Sequence, residues 1–148
     1  MDRDYVLDTS VLLHYTRTNS PVAAQVETDY ALLQSPFRPM ICSVSLGEML
    51  AFATMWGEAR TERLEAVLAE FTVIDIGRED VLSQYALLHQ YSKKGVNVGQ
   101  NDLWIAAAAN AVAATVLTTD GNLLRLPAGT VKVIRVNAKT GLTESCEP

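Results

Sequence analysis

Residues 6–13 read Val6-Leu7-Asp8-Thr9-Ser10-Val11-Leu12-Leu13 (VLDTSVLL). A β-prone apolar run over residues 5–7 stops at an acid, and apolar residues then recur at helical spacing through HYTR. The expected order is strand, acid, helix.

The same handover recurs further along the chain. Residues 40–44 read as a second buried strand, with Ser45 placed to cap a helix that carries Glu48, Met49, Phe52, Ala53 and Trp56. Before it, Pro21 suits the first turn of a helix continuing through Ala31 and Leu33 until Ser35-Pro36 stops it. Beyond it, the pattern predicts a helix over 61–68, a strand over 71–76 and an amphipathic helix over 78–91. A polar loop over 92–100, an Ala-rich helix over 101–114, a strand over 115–118 and a last strand over 131–136 complete the reading. Because parallel strands need crossover connections, this alternation predicts an α/β sandwich with a mainly parallel central sheet. One domain over residues 1–136 is expected, followed by a loosely ordered polar tail over 137–148.

At 148 residues, about half of them apolar, the chain is long enough for one proper core. Its net charge of −5 argues against a broad basic face for nucleic acid, although bound cations would invert the local electrostatics of a carboxylate site. Cys42 and Cys146 lack the spacing of a zinc site or a disulfide framework, so a reducing compartment is expected. No run approaches the roughly 20 apolar residues of a membrane span, and no signal segment is visible at the start, so the expectation is a soluble, cytoplasmic protein.

Ligands in open α/β sheets bind beyond the carboxyl ends of the strands. Four acids map there: Asp8 after the first strand, Glu48 one turn into the helix after the second, Asp102 at the opening of the Ala-rich helix, and Asp120 after VLTT. Taken singly, each has a local role. Asp8 could cap a helix, Asp102 could favour a helix dipole, Glu48 could be solvated, and Asp120-Gly121 is a common turn pair. Grouped at one sheet edge they would repel unless protonated or metal-bound, and hard oxygen ligands suit Mg2+, with Mn2+ as the alternative.

The succession VLDTSVLL, SLGEML, NDLWIAAAA and VLTTD is similar to the four acidic motifs of PIN-domain nucleases, and it resembles most the VapC-type toxins of toxin–antitoxin pairs. The resemblance implies a three-layer α/β/α sandwich. It also implies that Asp8, Glu48, Asp102 and Asp120 are catalytic, metal-site carboxylates, with Ser10, Thr119 and Asn122 as neighbouring or substrate-side members. Asn122 stands where the family often has another acid. The implied activity is Mg2+-dependent endoribonucleolytic cleavage that leaves a 5′-phosphate and a 3′-hydroxyl. The implied partners are RNA, a cognate antitoxin whose C-terminal segment blocks the acidic groove, and a second copy of the chain. For that homodimer, apolar helix surface around Leu32, Leu33, Leu50 and Trp56 is the expected interface.

Arg17, Lys93 and Lys94 are candidate RNA contacts, with solvated surface as the competing role. Trp56 and Trp104 fit helical core spacing, while His14 and His89 have no catalytic neighbour in sequence. Ser10 lacks a base partner for nucleophilic work. Two rival functions remain: a housekeeping PIN-domain RNA-processing nuclease, and a non-catalytic RNA- or protein-binding module. A phosphatase of the haloacid dehalogenase type would want an acid where Ser10 stands, and a receiver domain would want an acidic pair near the start.

Overall fold

The computed structural model describes residues 4–34 and 38–146. In chain order the elements are β1 (Tyr5–Leu7), α1 (Thr9–Tyr15), α2 (Pro21–Tyr30), β2 (Met40–Cys42), α3 (Ser43–Ala53), α4 (Glu58–Leu68), β3 (Thr72–Ile74), α5 (Glu79–Lys93), α6 (Gln100–Ala111), β4 (Thr115–Thr118), a 3-10 turn (Asn122–Arg125), β5 (Val133–Val136) and β6 (Thr143–Cys146). The strands form one sheet in the order β3-β2-β1-β4-β5-β6. Pairings from β3 through β5 are parallel, and only β6 runs antiparallel.

Strand alternation makes the three layers. Val6, Cys42, Val116 and Val133 enter a core with the buried side chains of α5 and α6. Their neighbours Leu7, Ile41, Leu117 and Val136 enter a second core with Val11, Leu12, Val22, Val26, Met49 and Leu64 from α1 to α4. Successive strand residues point to opposite faces, so a sheet covered on both sides must be apolar at nearly every position. The run Ala106 to Ala109, fully buried, lets α6 lie close against the sheet. The fold is the expected α/β/α sandwich.

Several local expectations are corrected. Helix α2 ends at Tyr30 rather than continuing through Leu33: Ala31 adopts φ 48, ψ 46 and its N–H closes on the Glu27 carbonyl. The turn carries Leu32 into the second core at 3% exposure, and the Leu33 N–H donates to the Glu27 carboxylate. Leu32 therefore offers no surface to a partner copy. The Ser35-Pro36 stop lies outside the described residues. Ser45 is not a cap, because α3 begins at Ser43 directly from β2 and Ser45 lies fully buried within its first turn. The Ser43 hydroxyl instead accepts from the Ile76 N–H, tying the start of α3 to the end of β3.

The loosely ordered tail is also corrected over Thr143–Cys146, which pairs with β5 as β6. Asn137 builds the connecting turn by accepting from the N–H groups of Lys139 and Thr140 through Oδ1. Gly141 closes it at φ 77, where a Cβ would stand 2.7 Å from the Val22 carbonyl oxygen. All four β6 residues are exposed, so this strand carries no apolar alternation for a pattern to detect.

Candidate metal centre

β1 lies between β2 and β4, so the chain winds away from it in both directions and leaves a crevice where the strand order reverses. Leu7 pairs with Leu117 across that point, and the Asp8 N–H donates to the Leu117 carbonyl at 2.9 Å. Asp8 and Asp120 leave the sheet on adjacent strands. Asp102 reaches the same edge from α6, where Gly99 is the N-cap and Asp102 stands in the first turn. Ligand oxygens of Asp8, Asp102 and Asp120 all lie within 4.8 Å of one another.

Each acid is held by named partners. Asp8 is the N-cap residue of α1 but makes no side-chain capping bond. Its Oδ2 accepts from Ser10 Oγ at 2.7 Å and Thr118 Oγ1 at 2.8 Å. Ser10 Oγ in turn accepts from the Thr119 N–H at 3.0 Å, and Thr118 Oγ1 accepts from the Asp120 N–H at 3.2 Å. Asp120 Oδ1 accepts from the Asn122 N–H, while Asn122 Nδ2 donates to Asp102 Oδ2 at 3.2 Å. Asp120 therefore fills its local turn role and still contributes to the cluster.

Burial and mutual repulsion set the electrostatics. Asp8 is 6% exposed, and desolvation raises its carboxyl above the ordinary value against the lowering hydrogen bonds of Ser10 and Thr118, with Asp120 adding to the rise. Asp102 is pushed up to about 6, first by burial and then by the charges of Asp8 and Asp120. Among the described residues no Lys, Arg or His forms an ion pair with any of the three. Such a set calls for a cation.

A divalent ion fits this donor set. All donors are carboxylate oxygens, which suit Mg2+ or Mn2+. Three carboxylate oxygens this close together, carried on separate segments, could share one such ion.

Glu48 stands beside this trio and is not part of it. Its Oε1 accepts from Thr9 Oγ1 at 2.7 Å and its Oε2 from Asn101 Nδ2 at 3.4 Å, and its charge contributes to the rise at Asp102. Thr118, Thr9 and Asn101 are site residues that the sequence reading did not single out. Thr119 supplies its main-chain N–H, whereas the hydroxyl on Asp8 belongs to Thr118.

The remaining candidates lie elsewhere. His14 sits near the far end of α1 beside Ser20 and Arg17, where burial, then Arg17, lowers its pKa. His89 packs near Tyr85, and Trp104 stacks on Tyr85 at 3.7 Å between ring centroids. Lys94 lies over the Tyr91 ring. Leu33 and Leu50 are exposed, while Trp56 is partly buried against the second core. No helix among the described residues is long and apolar enough to cross a membrane.

The PIN domain family matches residues 5–129. Among solved structures, the fold is similar to a chain of VapBC2 from Rickettsia felis, crystallised bound to a promoter DNA fragment: TM-score 0.73, 22% identity, covering 87% of this chain and 96% of that one. A chain of VapBC-5 from Mycobacterium tuberculosis, of the VapBC family of toxin–antitoxin systems, gives 0.67 at 29% identity, with 90% and 99% covered. A chain of DNA-bound VapBC from Salmonella typhimurium gives 0.66 at 19%, with 90% and 97% covered. No curated protein matches the sequence.

Proposed function

The chain belongs to the PIN-domain family, and from that premise we propose that it is a divalent-metal-dependent endoribonuclease acting as the VapC-type toxin of a toxin–antitoxin pair. One observation carries the reading. Three carboxylates from separate segments converge within 4.8 Å at the sheet's switch point, with no cationic side chain among the described residues paired to them.

Asp8, Asp102 and Asp120 would hold Mg2+, or Mn2+ in its place. A bound divalent ion supplies an activated water and neutralises charge on the phosphoryl and leaving oxygens of a phosphodiester. The chain's own groups give that chemistry its position. Ser10 and Thr118 hold one Asp8 oxygen, so the carboxylate enters the site in a single orientation. Asn122 fixes Asp102 in the same way. Glu48, anchored by Thr9 and Asn101, is a carboxylate beside the trio that orients water for attack on phosphorus. Of the implied site residues, Thr119 serves through its backbone.

The VapBC neighbours support an antitoxin as the protein partner, since those complexes pair a toxin with one. A homodimer would use exposed Leu33 and Leu50.

The test is incubation of antitoxin-free protein with total cellular RNA in Mg2+, Mn2+ or EDTA, with fragment ends mapped by sequencing. Discrete metal-dependent cuts are expected from the parent, and Asp8→Asn and Asp102→Asn should fall to the EDTA background. Folded parent that cuts no RNA in any metal, or variants that cut as well as the parent, would move the non-catalytic binding module ahead. An antitoxin gene next to this one separates the toxin from a housekeeping nuclease.

A further inference from the structure

At the C-terminal end of α1, three arginines surround one buried residue. Thr16, fully buried, is the C-cap. Its hydroxyl donates to the Leu13 carbonyl and accepts from Arg60 Nε and Nη2, both at 3.3 Å. Its carbonyl accepts from Arg63 Nε at 2.9 Å. Arg17, the next residue, is exposed and touches His14 Nδ1 through Nη1 at 3.5 Å. Arg60 also lies over the Trp56 ring, 3.8 Å from its centroid.

Capping explains part of this arrangement, because cationic side chains favour a helix C-terminus. It does not use all of it. Both Nη groups of Arg63, Nη1 of Arg60, and Nε and Nη2 of Arg17 have no hydrogen-bond partner among the described residues, and none of the three arginines has a carboxylate within ion-pair distance. Their charges oppose one another: burial and then Arg17 and Arg63 push the Arg60 guanidinium below its ordinary value. A chain of net charge −5 thus keeps a concentrated positive patch with open guanidinium forks, already oriented by Thr16 and Trp56. Planar forks of this kind suit bidentate contact with phosphate.

We infer that Arg17, Arg60 and Arg63 form a binding site for the phosphodiester backbone of single-stranded RNA, holding the substrate to one side of the scissile bond. The inference rests on the endoribonuclease reading. Eight residues of helix rise separate Asp8 from Thr16, about 12 Å at 1.5 Å per residue. A strand lying on the arginines can therefore reach the carboxylates with only a short intervening segment. The arginines bind and position; they take no part in bond breaking.

The test uses an unstructured, mixed-sequence labelled RNA and the full chain carrying Asp102→Asn to prevent cleavage, in Mg2+, with affinity measured across a salt series. Each single-strand phosphate contact contributes about 0.7 to the slope of log affinity against log salt. Arg17→Gln and Arg63→Gln should each lower the slope by about 0.7 and the pair by about 1.4, with Arg17→Lys restoring most of it. Lys132→Gln removes the same charge beside Gln84 and Asn110, on the α5 and α6 side of the sheet, and should leave the slope unchanged. Arg17 is exposed and, among the described residues, bonded only to His14, so its substitution spares the fold. An unmoved slope in the arginine variants overturns the inference and gives the patch to an acidic protein segment, and an equal loss in Lys132→Gln overturns it in favour of a diffuse field. Parent cleavage of total RNA is scored in parallel. Cuts with an unmoved slope remove only the arginine site, whereas neither cuts nor binding removes the nuclease reading as well.

Discussion

At its N-terminal end α1 meets Asp8, Asp102 and Asp120; at its C-terminal end, about 12 Å away, it meets Arg17, Arg60 and Arg63. Both are clusters of like charge with no ion-pair partner among the described residues. They differ in how the charge is carried. The acids sit in a crevice, with Asp8 buried, and desolvation is the largest cause of the rise at both Asp8 and Asp102. Of the arginines, Arg17 is exposed and screened by water, while Arg60 and Arg63 are half-buried, and burial is the largest cause of the lowering at Arg60. A site that removes carboxylates from water needs a cation to be stable in its charged form. Guanidinium groups that are only partly buried and that donate to Thr16 can stay without a carboxylate until a polyanion arrives. The net charge of −5 averages over both and describes neither.

The largest effect that would sharpen this contrast is metal linkage at the acidic end. Mn2+ or Mg2+ at 100 times its Kd should stabilise the parent by about 2.7 kcal/mol, seen as a rise in Tm. Asp102→Asn should lose most of that gain, and Arg17→Gln should keep it. A metal-induced rise undiminished in Asp102→Asn would place the cation elsewhere.

Next in size is the pH response without metal. Asp102 titrates near 6 in the folded chain against 3.8 as a free side chain, so between those values the folded state binds the extra proton. Its contribution to stability is therefore present at low pH, falls as pH rises through about 4 to 6, and levels off above. Asp8, also raised, acts in the same direction. Across that window the Tm of metal-free Asp102→Asn should gain on the parent. Parallel Tm curves for the two proteins would show that the repulsion at Asp102 is relieved by something other than protonation.

The smallest effect belongs to the arginine end. Arg60→Lys keeps the charge but gives up the planar stacking on Trp56 and the paired donation to Thr16, at a cost of about 0.5–1 kcal/mol by denaturant unfolding. A loss of several kcal/mol would make the patch a structural cap first, and the contrast between the two ends would weaken.

The elements were largely legible because their signals are local. Apolar alternation and helical spacing marked β1, α1, α5, α6 and β4, and the acids at strand ends stood out by position. Where a boundary depended on distant contacts, the pattern failed. Leu32 turns inward because a core is waiting for it, which ends α2 early, and β6 exists because β5 offers an open edge rather than through any apolar pattern of its own. At the site, the motif pair Thr118-Thr119 signalled a polar strand end, but a shift of one residue exchanges faces. Only the folded sheet assigns the hydroxyl on Asp8 to Thr118.

The sequence by itself determined the α/β alternation, the order of the four acids and the helix or strand that carries each, because these are written in periods of two and of 3.6 residues. Strand order was left to the tertiary structure. Placing β1 beside β4 is what brings Asp8, Asp102 and Asp120 within 4.8 Å and leaves Glu48 alongside them. Packing α4 against the end of α1 is what gathers Arg60 and Arg63 around Thr16. Such convergence joins residues tens to more than a hundred positions apart, and no local period encodes a distance of that kind.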